Sequence, residues 1–444
     1  MVKDGTSGGL RGNRNWHMLL VAQGVSLIGD YVFDVTVLLW VATVITAHRP
    51  WAPAAASGVL IAAAIPVLVV APIAGVFVDR WDRRLTMRVA DLSRAVLIAL
   101  LLLIPTMGTH WPVAAQLTLI YTGVALESVA AQFFNPSRFG IIRAVLPEKD
   151  RPRAFGISGA IANTAAVIGP PLAAPILFGA GVEWALVIDV ASFLISFGCA
   201  SAIQLPATER KPARSRRGFW TEFGEGLAFF THNRQLVVMC STTVVYMLGV
   251  GAINTLNVFF MRSNLHTSSN WMGTLNAALG FGSIVGALLA AKFAGWLGES
   301  RVFSLGVVIT GLGVVIYSRL GSLPVAIALF ALIGIPLAAV NVVINPLMLR
   351  ATPKELIGRV STVMNPLVNL ASIISMAIAG FLASTVLHHL HVVVAGVTFT
   401  RIDAIFAVSG LLMLGAGVAS VKPMRASTVR AAQAAPEEQE SVAP

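Results

Sequence analysis

Two aspartates stand in an apolar stretch that is long enough to cross a lipid bilayer. Residues 21–45 read VAQGVSLIGDYVFDVTVLLWVATVI and include Asp30 and Asp34. A charged side chain at the centre of a membrane-spanning helix costs roughly 2.5–3.5 kcal/mol. Because residues four apart share one helix face, we expect both carboxyl groups to line a polar, water-accessible space. At least one of them is predicted to bind and release a proton.

Other charged residues within apolar runs of the N-terminal half are Asp91, Arg94, Glu127 and Asp189. Arg94 and Glu127 lie at similar depths, about 9 residues from the same membrane face at 1.5 Å per residue. Glu127 therefore has two interpretations, an ion pair with Arg94 or a site for a proton or cation. Asp91 and Asp189 lie nearer the membrane faces, and we interpret both as structural.

The two aspartates of the first run differ in their interpretation. Asp30 follows Gly29, and packing or hydrogen bonding is as good an explanation for it as proton binding. Asp34 is the first candidate for proton exchange, because burial without a cationic partner favours the neutral form of a carboxyl group.

The composition is that of a polytopic membrane protein. Of the 444 residues 56% are hydrophobic and 11% are charged, and the mean hydropathy is +0.80. A net charge of +11 would suit nucleic acid only if the basic residues formed one face of a folded domain. They occur instead in short clusters between apolar runs, so we exclude nucleic acid as a partner. Neither a metal motif nor a cofactor is indicated by the sequence.

Apolar runs of spanning length predict an all-α fold with twelve transmembrane helices in two six-helix halves. The runs are residues 17–45, 55–78, 87–107, 113–134, 155–179, 184–205, 236–261, 271–291, 302–319, 324–349, 360–386 and 403–421. Loops on one side hold 26 of the 31 Lys and Arg residues, whereas loops on the other side hold four. The positive-inside rule then predicts a multi-pass membrane protein with both termini in the cytoplasm.

The chain is predicted to divide into four segments. These are an N-terminal half (1–205), a cytoplasmic linker with an amphipathic helix (206–235), a C-terminal half (236–424) and a disordered tail (425–444). An internal repeat supports the division. Asn135 and Asn345 each open an Asn-Pro segment and are 210 residues apart, while Gly75 and Gly286 are 211 apart. Parallel repeats of this kind occur in transporters.

Two motifs carry functional hypotheses. The loop after the second run reads AGVFVDRWDRRLTM and contains Gly75, Asp79, Arg80, Arg83 and Arg84. In it we expect glycine to permit close helix packing, Asp79 to pair with a neighbouring helix end, and the arginines to hold the loop at the anionic cytoplasmic face.

The fifth run contains the second motif, Gly169, Pro170 and Pro171, followed by Leu-Ala-Ala. Small residues there would allow close approach between the two halves, and the prolines would permit bending.

These motifs resemble those of the major facilitator superfamily, in particular the twelve-helix drug:proton antiporters that include macrolide efflux proteins and the enterobactin exporter. The chain departs from the family pattern at Asp82, where glycine is usual, and at Ala173 and Ala174, which replace two glycines. In this family helices one, four, seven and ten line a central cavity. The resemblance therefore implies that Asp30, Asp34 and Glu127 lie at or near that cavity.

Residues that suit an amphipathic substrate are also present in the spans. The cavity candidates are Gln23, Tyr31, Asn254, Asn257, Asn341 and Asn345. Amide and aromatic groups accept varied amphipathic molecules, although packing is an alternative for each.

The resulting hypothesis is a monomeric, proton-coupled exporter of amphipathic small molecules that works by alternating access. The alternatives are a dedicated siderophore or lipid exporter, an uncoupled facilitator and a non-transporting membrane receptor. A membrane enzyme is disfavoured, because the sequence has no Ser/His/Asp grouping, phosphate-binding glycine loop or His and acid metal motif.

Overall fold

The computed structural model describes residues 10, 12–78, 80–204, 219–353, 356–387, 391–394 and 397–434, and the chain divides into two compact units. The first unit comprises residues 1–214 with 268–277, and the second comprises 215–267 with 278–444. The division after residue 214 lies inside the segment 206–235, for which we predicted a linker.

The described part of the first unit is helical. Its helices are α1 (Arg14–Trp40), α2 (Ala52–Val69), α3 (Ala71–Val78), α4 (Arg83–Leu101), α5 (Leu103–Met107), α6 (Val113–Val145), α7 (Arg151–Pro175) and α8 (Val182–Ala202). Short π-helical turns, Val41–Ile45 and Ile176–Ala180, extend α1 and α7. Helix α1 packs against α7 and α8, and α4 packs against α6 and α8. The charged residues of α1, α4, α6 and α8 are therefore carried by helices that are neighbours.

The second unit contains longer helices and one small hairpin. Its elements are α9 (Phe219–His232), α10 (Arg234–Ser263), α11 (Met272–Leu297), which begins in the segment 268–277, α12 (Glu299–Tyr317), α13 (Leu323–Ala351), α14 (Ile357–Phe381), β1 (His391–Val394), β2 (Val397–Thr400) and α15 (Arg401–Ala434). Helix α10 packs against α14 and α15, and α12 packs against α13 and α15.

Within the described residues, twelve helices are long and apolar enough to cross a membrane. This confirms the predicted number of spans and the all-α class. The antiparallel pair β1 and β2 is the one departure, with His391 opposite Thr400. Its sequences, HVVV and VTFT, are rich in β-branched residues, which favour strands.

The last helix is longer than predicted. We expected residues 425–444 to be disordered, but α15 continues to Ala434. The sequence RASTVRAAQA is rich in alanine and arginine, which are strong helix formers and extend a helix that has already been nucleated by the last span. Residues 435–444 lie outside the described part of the chain.

An asparagine begins the first spanning helix of each unit in the same way. The side chain of Asn13 accepts a hydrogen bond from Trp16 N at 3.1 Å and donates to Val145 O at 2.8 Å. Asn233 accepts from Leu236 N at 3.2 Å and donates to Ala351 O at 2.9 Å. In both units one side chain thus satisfies a free amide at a helix start and a free carbonyl at a helix end. This shared arrangement agrees with the repeat inferred from the sequence.

Glycines bring α11 and α13 together in the second unit. A Cβ at Gly286 would collide with the backbone of Ile335, and one at Gly282 with the backbone of Ala331. Gly75, the predicted counterpart of Gly286, differs, since a Cβ there would meet no atom within 4 Å. Among the described residues the close packing predicted for Gly75 is therefore absent, because no neighbouring atom lies near this position of α3.

We expect Gly286→Ala to lower the free energy of unfolding by about 1–3 kcal/mol, because the added methyl group forces two packed backbones apart. Gly295→Ala is the matched control on the same helix, since its Cβ would meet nothing within 4 Å. Thermal unfolding of the purified protein in detergent measures both variants. Equal midpoints for the two variants would contradict this packing.

Candidate functional site

Arg94 lies at the centre of a buried ion triad in the first unit. From α4, its Nη2 lies 2.7 Å from Asp30 Oδ1 on α1, and its Nε donates to Glu127 Oε1 on α6 at 2.6 Å. The guanidinium also lies 4.0 Å from the centre of the Phe193 ring on α8. Side chains from four helices therefore meet at one cation. The contact predicted between Arg94 and Glu127 is present, whereas the part of Asp30 in it was not anticipated.

The triad is largely removed from solvent. The exposed fractions of the side chains are 4% for Arg94, 9% for Glu127 and 22% for Asp30. Removing ions from water is expensive, and the cost is recovered only when the charges pair with good hydrogen-bond geometry. The forked guanidinium can serve two carboxylates at once. One arginine with two ionised acids leaves a net charge of −1.

Local features of α4 and α8 position Arg94. Asp82 begins α4, and its carboxylate accepts a hydrogen bond from Leu85 N at 2.8 Å. Two residues after Asp82, Arg84 donates to the carbonyls of Ala200 and Ser201 at the end of α8. Asp82 is thus a helix N-cap, which is a role that the family pattern did not indicate. The two contacts fix the start of α4 against the end of α8.

Gly29 brings α1 against α8 and so positions Asp30. A Cβ at Gly29 would collide with the Asp189 carboxylate and the Ser192 hydroxyl. Only glycine allows this approach. The Gly-Asp pair of the sequence therefore has a physical meaning, since Gly29 provides the helix contact and Asp30 provides the ion pair.

Asp34 differs from the two acids that Arg94 binds. It lies one turn after Asp30 on α1, its side chain is exposed, and among the described residues it has no hydrogen bond or ion pair. It is nevertheless within electrostatic range of Asp30, Glu127 and Arg94. Because a carboxylate facing lipid is costly, this exposed face of α1 suits contact with water better than contact with hydrocarbon.

Asp91 and Asp189 are wholly buried near the triad. Ser196 donates to Asp91 Oδ2 at 2.6 Å, and Ser192 donates to Asp189 Oδ1 at 3.2 Å. Within the described part of the chain, the second oxygen of each carboxyl group has no hydrogen-bond partner. The sequence predicted that both residues lie nearer the membrane faces. It did not predict that they lie within electrostatic range of Arg94.

The cavity candidates separate into buried and exposed residues. Gln23 is buried on α1, donates to Ser158 O at 2.8 Å and accepts from Ser158 Oγ at 2.6 Å. Asn257 is buried on α10 and accepts from Tyr317 Oη at 2.6 Å. The amides of Gln23 and Asn257 are therefore used in helix packing, which corrects their prediction as cavity residues. The periodicity of the sequence could not distinguish the inward face of a bundle from its outward face.

The other candidates remain accessible. Asn254 on α10 and Asn341 and Asn345 on α13 are exposed, whereas Tyr31 on α1 is half-buried. A Cβ at Gly169 of α7 would collide with Tyr31. The helix-five glycine, predicted to serve contact between the two halves, thus packs α7 against α1 within the first unit. Pro170 and Pro171 follow it inside α7.

The loop motif after α3 is only partly described. Asp79 lies outside the described residues, and the side chain of Arg80 is exposed. Arg83 is half-buried and lies over Gly140 of α6, where any added Cβ would collide with the arginine. With Arg84 at the end of α8, two of the three motif arginines bind to neighbouring helices of the first unit.

Replacing Arg94 with methionine should lower the free energy of unfolding by about 3–5 kcal/mol, because two buried carboxylates lose their cation. Adding Asp30→Asn and Glu127→Gln to Arg94→Met should restore most of that loss, since no unpaired charge then remains. Thermal unfolding measures both variants, and Arg80→Met at an exposed arginine is the control. An Arg94→Met protein as stable as the wild type would contradict the triad as a structural centre.

Comparison with known proteins identifies the family of the chain. A family profile described as Major Facilitator Superfamily matches residues 19–247 and 238–444. The uncharacterized MFS-type transporter YkuC of Bacillus subtilis is 24% identical over 332 residues, which are 72% of this chain and 74% of YkuC.

Two other relatives are named for efflux. Macrolide efflux protein A of Streptococcus pyogenes is 20% identical over 381 residues, which are 84% of this chain and 91% of that protein. Multidrug efflux pump Tap of Mycolicibacterium fortuitum is 25% identical over 344 residues, which are 74% of this chain and 80% of Tap.

A solved structure shares the fold. The crystal structure of a bacterial homologue of the iron transporter ferroportin in an inward-facing state matches with a TM-score of 0.71 and 14% identity, covering 93% of this chain and 98% of that one. At such low identity the likeness concerns the fold alone. The family profile, however, spans the chain from residue 19 to its end. The chain therefore belongs to the major facilitator superfamily and is a multi-pass membrane transporter, not an enzyme.

Proposed function

We propose that this protein is a proton-coupled antiporter that exports amphipathic small molecules across a bacterial plasma membrane. The observation that carries the proposal is the difference between three acids. Arg94 binds Asp30 and Glu127, whereas Asp34 is exposed and has no such partner in the described part of the chain. Asp34 can therefore exchange protons with water, while its charge acts on the triad beside it.

The mechanism follows from that charge. A cationic or amphipathic substrate is attracted by ionised Asp34 when the site opens to the cytoplasm. Protonation of Asp34 from the outside removes the attraction and releases the substrate, and it also relieves repulsion with Asp30 and Glu127. Ionised and neutral Asp34 interact differently with the triad. Protonation of Asp34 therefore shifts the balance between inward- and outward-open conformations. Asp30 and Glu127 assist as members of the same electrostatic network.

The direction of transport and the substrate class rest on two further observations. Relatives that cover most of the chain are named as macrolide and multidrug efflux proteins. In the second unit, Asn254, Asn341 and Asn345 present exposed amides on spanning helices. Amides on an apolar surface can bind polar groups of varied molecules without requiring one charge. Together these features favour a broad amphipathic substrate class.

The proposal includes an orientation and a gate. The distribution of Lys and Arg supports cytoplasmic termini, which places the start of α4 at the cytoplasmic face. Gly75, Asp79, Arg80, Arg83 and Arg84 then form the cytoplasmic gate motif. The protein works as a monomer of two halves in this proposal.

Asp34→Asn should abolish ethidium or macrolide flux driven by a pH gradient in reconstituted vesicles, because asparagine cannot carry the proton. Transport is followed by dye fluorescence or by labelled macrolide. Glu148→Gln, at an exposed acid in the loop before α7, is the matched control and should retain flux. Undiminished gradient-driven flux in the Asp34 variant would rule out its role as proton carrier. Wild-type flux that ignores the pH gradient would instead indicate a facilitator.

Asn254→Leu should weaken ethidium or macrolide binding about 5- to 10-fold, which is the loss of about 1 kcal/mol for one hydrogen bond, with little change in thermal stability. Asn257→Leu should instead lower the thermal stability and leave ligand binding almost unchanged, because it removes the buried partner of Tyr317. Binding is measured by fluorescence titration, and stability by thermal unfolding. If both variants lost only stability, Asn254 would be a packing residue.

A further inference from the structure

Asp189 on α8 is a buried acid that forms no ion pair with Arg94 in the described part of the chain. It is 0% exposed. Ser192, one turn later on the same helix, donates to Oδ1 at 3.2 Å. Among the described residues Oδ2 has no hydrogen-bond partner. An ionised carboxylate in this position would be both desolvated and poorly hydrogen-bonded, which is strongly unfavourable unless a cation is in contact.

The groups that face Asp189 come from the helices packed around α8. Helix α1 contributes Asp30 and Asp34, and α6 contributes Glu127. Helix α4 contributes Arg94, which is within electrostatic range of Asp189 and contacts Phe193 on the same helix. Asp91 is the one acid of α4. The π-helical turn 176–180, ILFGA, contains no titratable group.

The backbone contact between α1 and α8 places Asp189 beside the triad. Gly29 lies against the Asp189 carboxyl group, and the next residue, Asp30, binds Arg94 at 2.7 Å. Arg94 therefore pairs with an acid on α1 and lies within electrostatic range of an acid on α8 whose Oδ2 has no hydrogen-bond partner among the described residues. Movement of the guanidinium towards α8 would exchange one acid for the other.

We propose that Asp189 is a second proton-binding site, which is neutral while Arg94 is paired with Asp30 and ionises to take Arg94 when Asp30 becomes protonated. This inference rests on the proposed proton coupling. In the exchange, Asp30 gains a proton from water that reaches Asp34, and Asp189 loses its proton to water on the cytoplasmic side. Arg94 and Glu127 keep their charges, so the net charge of the four groups stays at −1. A constant charge avoids the penalty of building charge inside the protein.

The test compares carboxyl infrared spectra of the full-length protein in lipid nanodiscs. Asp189→Asn in the wild-type background should remove a protonated carboxyl C=O band. In an Asp30→Asn background, which mimics protonated Asp30, Asp189→Asn should remove a carboxylate band instead. Asp91→Asn is the matched control and should remove the same kind of band in both backgrounds. Loss of a protonated band in both backgrounds for Asp189 would make it a structural acid, and loss of a carboxylate band in both would also overturn the proposal.

A transport measurement separates this inference from the proposed function. Asp189→Asn should lose ethidium flux driven by a pH gradient but retain ethidium binding, whereas Asp91→Asn should retain both. If wild-type flux ignored the pH gradient, the proposed function would fail, while the spectra would still decide the ionisation of Asp189. Should Asp189→Asn fail to fold, Ser192→Ala should shift the protonated band in the wild-type background and leave that region unchanged in Asp30→Asn. An unshifted wild-type band would then contradict the proposal.

Discussion

The ion triad of Arg94 with Asp30 and Glu127 is the contact on which the interior of the first unit depends. Arg94 lies well inside an apolar run of the sequence, and α1, α6 and α8 all contact its guanidinium. A buried charge must be satisfied by geometry rather than by solvent. The triad therefore requires two helix contacts. These are the approach of α1 to α8 at Gly29 and the contact of Arg84 with the end of α8.

The two units differ in how their spans treat polar groups. The first unit concentrates acids around one arginine, so that its internal electrostatics responds to the gain or loss of a single proton. In the second unit the interiors of the predicted spans contain no charged residue, and asparagines are either packed or exposed. This contrast is the basis for proposing proton exchange in the first unit and tolerant substrate contacts in the second.

Glycine has different meanings at different positions of this fold. At Gly29, Gly140, Gly169 and Gly286 a Cβ would collide with a neighbouring helix, whereas Gly75 and Gly295 face open space. Membrane helices gain little from hydrophobic burial against one another, so close approach at small residues is a main source of their packing energy. The position of a glycine in a motif thus does not by itself establish a close contact.

The sequence by itself determined the number of spans and the all-α class, because apolar length is a local property that survives without tertiary information. Its motifs indicated the family by resemblance. It also indicated the Arg94 contact with Glu127 from depth alone. It did not determine which acid shares the arginine, since Asp30 and Asp34 lie on one helix face and differ only in their neighbours. Nor did it separate Gln23 and Asn257 from exposed amides. Only the tertiary structure decided these points, because the partners Arg94, Ser158 and Tyr317 lie 60 or more residues away and meet them through helix packing.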